Sequence, residues 1–201
     1  MKKFLSYFVY WLIQCTWGII MTAIGAIVAL CLLVSGHKPK TLGPVVYFEF
    51  GEGWGGLSLG GFFFCSKDSP MSTKYHECGH GFQNLVLGPF MPFAVCIPSV
   101  ARYWLYNFKT PLTRALFVLG IMIAAVLLTT SGACIFAFIG GFKTIVIIFE
   151  VIRLYFLSLV IWLNVSQLPQ FYDGKQPNYD NIWFEGQATK WGTALYEKKE
   201  D

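Results

Sequence analysis

Chemistry is offered most directly by His76, Glu77 and His80, within the string His76-Glu77-Cys78-Gly79-His80. On a helix, side chains at i and i+4 share a face, so the two imidazoles can reach one Zn2+. The glutamate after the first histidine then sits beside the remaining open position, where it can take the proton of a zinc-bound water. The bland alternative is a helix with two unrelated surface histidines. Against it, the chain has only three histidines, and two of them fall at this spacing.

A catalytic zinc needs a third protein ligand as well as an open position. His37 is the remaining histidine, but it follows the end of an apolar segment in a Gly-His-Lys-Pro loop and is a poor candidate. Among the carboxylates Glu185 is the best placed. It lies in Trp183-Phe184-Glu185-Gly186-Gln187-Ala188-Thr189, a short helical stretch whose small residues would let a second helix come close. Asp173 and Asp180 are the runners-up. Gly79 and Gly81 each cost about 1 kcal/mol relative to Ala inside a helix. Close approach by another backbone, or by substrate, is the expected reason for them.

These residues need elements to hold them. Ser69, Pro70, Ser72 and Thr73 are helix-start signals and Gly88-Pro89 is a stop, which predicts a helix carrying the histidines. Ahead of it, residues 45–50 and 57–65 read as two strands of a β-hairpin around a Gly-rich turn. A loop of Pro, Gly, Asp and Asn follows residue 168. After it a helix over 180–197 is expected, capped by Asp180 or Asn181 and bearing Glu185.

The rest of the sequence is apolar. Of 201 residues 55% are hydrophobic, 18% aromatic and only 13% charged, against about 25% charged in soluble domains. This excludes an ordinary soluble domain and a disordered chain. The net charge of +4 is too small and scattered for a nucleic-acid surface, so no nucleic-acid partner is expected. Residues 4–34 carry no charge. As one straight helix they would run about 46 Å, longer than a bilayer core of about 30 Å, and would serve as a tilted or protruding retained anchor. Residues 115–138 and 144–168 read as a transmembrane hairpin joined through Gly140, Gly141 and Lys143. Residues 85–106 contain Pro89, Pro92 and Pro98 and read as a broken re-entrant or interfacial segment.

The fold expected is therefore mainly α. It is a multi-pass membrane protein with about three transmembrane helices, one broken segment, and a small β-hairpin beside the zinc-binding helix. Its regions are an N-terminal anchor (1–35), the hairpin and HExxH helix (36–88), the broken segment (89–114), the helical hairpin (115–168) and a C-terminal helix with the third ligand (169–201). Within the hairpin, Glu150 and Arg153 stand three apart, and a self-neutralising pair is favoured over a proton or substrate path. Cys15, Cys31, Cys96 and Cys134 lie in apolar stretches and read as small hydrophobes. A Cys65 to Cys78 disulfide is disfavoured, because thiols without CxxC pairing fit a reduced protein.

HECGH together with Glu185-Gly186-Gln187-Ala188 resembles the gluzincin class of zinc metallopeptidases, whose pattern is HExxH plus a glutamate on a later helix. The blocks GWGGLSLGGFFF, HECGHGFQN, LGPFMPFAVCIPSVARYW and YDNIWFEGQATKWGT are also similar to those of a group of small membrane proteins of gut-type Firmicutes, in the same order. That likeness covers about residues 43–107 and 177–195. The gluzincin resemblance implies that His76, His80 and Glu185 bind zinc and that Glu77 is the base. The chain departs from the class in the long membrane hairpin between second histidine and glutamate. It also lacks a recognised downstream motif for stabilising the transition state.

If His80 and Glu185 share one metal, the chain crosses the membrane an even number of times between them, and 115–138 with 144–168 supply two crossings. Residues 85–106 then do not span. Eleven basic residues fall on the site's side, against Lys2, Lys3 and Lys143 opposite, which places the site in the cytoplasm by the positive-inside rule. The expectation is a cell-membrane zinc metallopeptidase that cuts a peptide or protein substrate laid extended along the strand edge at 57–64, with Tyr103, Tyr106 or Arg102 stabilising the oxyanion. The alternatives are a non-enzymatic scaffold or partner-binding subunit with a structural zinc site, and a transporter working through Glu150 and Arg153.

Overall fold

The structure is a computed structural model that describes residues 2–138, 143–171 and 179–197. Helices dominate it, with one small mixed sheet. The chain divides into two units, Met1–Cys96 with Asn178–Asp201, and Ile97–Pro177.

The first unit begins with α1 (Lys2–Cys15) and α2 (Ile19–Val34). The single straight helix expected over 4–34 does not form, because the chain bends by 99° between these two helices. The cause is polar. Gln14, fully buried at the corner, donates through Nε2 to the carbonyl of Gly81 at 2.9 Å, and its Oε1 accepts from Asn84 Nδ2 at 2.6 Å. Asn84 Nδ2 also donates to the carbonyl of Gly18 at 3.1 Å. A straight continuation would have left these groups unsatisfied in an apolar setting.

The sheet contains β1 (Lys40–Leu42), β2 (Val45–Glu49), β3 (Gly56–Leu59) and β4 (Phe62–Cys65), in the order β1-β2-β4-β3. The expected hairpin of 45–50 with 57–65 is corrected in two ways. Gly60, with φ +66°, turns the second segment back on itself, so that β3 and β4 make the hairpin. β2 then pairs with β4 in parallel rather than antiparallel fashion. A second hairpin, β1 with β2, turns at Gly43 (φ +59°) and Pro44. Tyr10, Val45, Phe63, Cys65 and Cys78 form the core between α1, the sheet and the next helix, and both of these cysteines are free thiols.

That next helix, α3 (Met71–Leu87), starts after Pro70 and stops at Gly88 (φ +51°), as its signals predict. A 3-10 turn (Gly88–Phe90) and a π-helical turn (Pro92–Cys96) follow, so this stretch is broken where its prolines fall. In the same unit, α7 (Trp183–Glu197) carries Glu185 in its first turn. It begins later than expected, because residues 179–181 form a separate 3-10 turn.

The second unit contains α4 (Ile97–Asn107), α5 (Pro111–Phe138) and α6 (Lys143–Trp162), the last continued by π and 3-10 turns to Phe171. α5 and α6 pack together as a hairpin, and its core holds Leu105, Val118, Leu159 and Leu163. Their connection, with Gly140 and Gly141, lies outside the described residues. Arg153 pairs with Glu150 on one face of α6, the self-neutralising arrangement. Among the described residues one helix, Val146–Phe171, is long and apolar enough to cross a membrane, and up to three are if each bent pair counts as one.

Candidate metal centre

α3 and α7 cross at glycines. A Cβ on Gly79 would stand 1.9 Å from the carbonyl oxygen of Ala188, and one on Gly192 would stand 1.8 Å from that of Tyr75. Gly79 is thus explained by the approach of another backbone. The crossing places His76 and His80 of α3 against Glu185 of α7. Glu185 is fully buried, His80 is buried, and His76 is half-buried.

Three atoms converge there. His76 Nε2 and His80 Nε2 are 3.1 Å apart, and Glu185 Oε2 lies 3.2 Å from the first and 3.1 Å from the second. Donors at about 2.0–2.2 Å from a tetrahedral ion stand about 3.3–3.6 Å from one another, so this triangle is slightly tight for Zn2+ and has the right shape.

The hydrogen bonds behind the triangle select the tautomers of its neutral histidines. Gln83 Nε2 donates to the carbonyl of Phe184 at 2.7 Å, which turns Gln83 Oε1 toward His80 Nδ1, also at 2.7 Å. An amide oxygen only accepts, so His80 Nδ1 carries the hydrogen and neutral His80 presents a bare Nε2. Thr189 Oγ1 donates to Asp180 Oδ1 at 2.8 Å and so accepts from His76 Nδ1 at 2.8 Å, which bares His76 Nε2 as well. When both histidines are neutral, two imidazole lone pairs and a carboxylate oxygen therefore face one another, and a hydrogen bond to Glu185 requires a proton added to an imidazole. Such a donor set repels itself unless a cation joins it, and its nitrogen and oxygen atoms suit zinc.

Without an ion the same crowding shows in the acid–base properties. Burial alone would lower the pKa of His80, but the hydrogen bond to Glu185 and the charges of Glu77 and Glu185 raise it overall. Glu77 is held above the usual carboxylate range by burial, against the opposing pull of His80 and His76. Its side chain lies flat on the edge strand, where a Cβ on Gly56 would come within 2.5 Å of Glu77 Cγ and Oε1. A buried carboxyl with a raised pKa is suited to accepting and returning a proton.

Of the residues singled out by sequence, His76, Glu77, His80 and Glu185 come together. Asp180 is near but supports His76 through Thr189 instead of joining the triangle. Asp173 lies outside the described residues. His37 packs edge-on to Phe50 and is no part of the centre. Arg102, Tyr103 and Tyr106 lie on α4 in the second unit, where Arg102 Nε donates to Gln167 Oε1 at 3.0 Å. Gln83, Thr189 and Gly56 were not singled out, nor was Tyr179, whose ring is 5.9 Å from that of His76. The signal for the first two was present: Gln83 is three residues beyond His80 and Thr189 is four beyond Glu185, each on its ligand's face. No family model, curated protein or solved structure matches the chain, and what the centre can do follows from its donor atoms and their surroundings.

Proposed function

We propose that the chain is a membrane-bound zinc metallopeptidase of gluzincin-like type. The observation that carries the reading is the convergence of His76 Nε2, His80 Nε2 and Glu185 Oε2 with the buried Glu77 beside it. His76, His80 and Glu185 would hold a zinc ion, which when bound would supply Lewis-acid polarisation of a scissile carbonyl and acidification of a water. Glu77 accepts the proton at its carboxylate and returns it to the leaving amine. Gln83 and Thr189 keep the two imidazoles in register. β3 is an edge of the sheet and begins at Gly56, against Glu77, so an extended peptide could pair with it main chain to main chain. The apolar helix Val146–Phe171 packed on α5 supports a membrane placement, and the excess of basic residues on the site's side favours a multi-pass cell-membrane protein with the centre on the cytoplasmic face.

The burial of Glu185, His80 and Glu77 favours a second reading, a non-enzymatic membrane scaffold whose zinc site is structural. Metal analysis and peptide hydrolysis on purified wild type and Glu77→Gln separate the two. The peptidase keeps stoichiometric zinc in Glu77→Gln and loses cleavage. A scaffold unfolds without zinc, never cleaves, and tolerates Glu77→Gln. A wild type that takes up no zinc sinks both.

A further inference from the structure

The bent N-terminal pair has a bearing on topology, resting on the membrane placement proposed above. α1 has 14 residues and α2 has 16, about 21 Å and 24 Å long, and each is shorter than a bilayer core of about 30 Å. The 99° bend keeps the two off one axis, so that together they form either a broken span or a re-entrant segment. α1 does not lead away from the metal-bearing unit. Trp11 Nε1 donates to the carbonyl of Pro44 in the β1–β2 turn at 3.0 Å, and Tyr10 packs edge-on to Phe82 of α3. That same hairpin carries the ion pairs of Glu49 with Lys40 (2.5 Å) and Lys74 (2.7 Å), of which the Lys40 side chain is exposed. α2 is tied to the β3–β4 turn, where Gly61 N donates to Thr22 Oγ1 at 3.3 Å.

The polar groups of the corner face inward. Gln14, Thr22 and Asn84 are all buried in protein, the condition under which a helix break is tolerated at membrane depth. The outer faces are apolar and exposed: Phe4, Phe8 and Leu12 on α1, Ile20, Ile24 and Ile27 on α2. Lysines flank both ends of this apolar stretch in the sequence, Lys2 and Lys3 before it and Lys38 and Lys40 after it.

We infer that α1 and α2 form a re-entrant elbow that dips into one leaflet and returns, its outer faces in lipid and its flanking lysines against the anionic headgroups on the metal centre's own side. Lys2 and Lys3 then join the other basic residues of that side, which removes the charge conflict created by a crossing first segment and leaves Lys143 opposite.

The test is site-resolved labelling of the full chain, as Lys3→Cys and Glu52→Cys variants, in sealed right-side-out and inverted vesicles. A membrane-impermeant maleimide is used and labelled peptides are read by mass spectrometry. Both positions are expected to label from the same face only. Trypsin added to vesicles of the unsubstituted protein gives a check that needs no variant, with cleavage after Lys3 and after the exposed Lys67 expected from one face. Opposite faces for the two positions, in a protein retained after alkaline carbonate washing, overturn the elbow alone. Release by the carbonate wash overturns the membrane placement along with it, while zinc content, measured separately, still reports on the metal centre.

Discussion

Gln83 and His80 are bound in one polarity only: Gln83 Oε1 faces His80 Nδ1 at 2.7 Å because Gln83 Nε2 is committed to the carbonyl of Phe184, also at 2.7 Å. The contact selects the tautomer that bares His80 Nε2. Gln83→Leu should therefore weaken zinc binding by about 10–100-fold, the usual cost of losing a partner behind a ligand. Chelator competition on the purified protein measures it. Unchanged affinity would show that the ring is oriented by packing alone.

Thr189 plays the matching part for His76, relaying Asp180 to the ring. Thr189→Val keeps the shape and removes the hydroxyl, so zinc affinity should fall by about tenfold or more. Thr189→Ser should restore it. If Val and Ser behave alike, the hydroxyl does not orient His76.

The α3–α7 crossing makes a prediction with an unusual sign. In an open helix Gly→Ala stabilises by about 1 kcal/mol through propensity. At Gly79 and Gly192 the added methyl meets carbonyl oxygens at 1.9 and 1.8 Å, and backbone cannot swing aside as a side chain can. Gly79→Ala and Gly192→Ala should each destabilise by about 1–3 kcal/mol and weaken zinc binding, since Glu185 is carried away from the histidines. Thermal unfolding in detergent and zinc titration give the two readouts.

The contrast between those glycines and Gln14 shows what was legible in the sequence. Within α3, the ligand spacing, the start after Pro70, the stop at Gly88 and the cost of Gly79 are local signals, and all of them are realised in the helix. The choice of Glu185 needed only the demand for a third donor and the small residues beside it. The bend after Cys15 and the parallel pairing of β2 with β4 depend on partners far along the chain. Gln14 meets Asn84 seventy residues later, and a lone Gln in an apolar run looks locally like any tolerated polar residue. The β3–β4 turn was present as Gly60-Gly61, but in a glycine-rich stretch the pair does not stand out from Gly55 and Gly56.

Glu49 gives the chain a predictable acid limb. Burial opposes its charge, but hydrogen bonds from Lys40 and Lys74 outweigh that and hold its pKa below the ordinary 4.5. A folded-state pKa below the unfolded one means that the stabilisation is complete above pH 4.5 and is lost as pH falls through the lower folded value. Tm followed from about pH 6 down to about pH 3 should therefore drop less steeply in Glu49→Gln than in wild type. Parallel curves would mean that the two lysines contribute nothing to folding.

Gly56 offers a way to move the base without touching the metal. A methyl there would stand 2.5 Å from Glu77 Cγ and Oε1, so in Gly56→Ala the Glu77 carboxylate has to shift, whereas His76, His80 and Glu185 are held by partners on α3 and α7. Zinc affinity should stay within about twofold of wild type, while kcat falls by about 10²-fold, the range expected when a general base is displaced by about an ångström. Glu77→Gln should lose at least as much, and adding Gly56→Ala to it should cost little more, because both act through one carboxylate. A Gly56→Ala protein with full zinc and full turnover would place the base elsewhere. Equal loss of zinc and turnover would instead mean that β3 supports the ligands as well as Glu77.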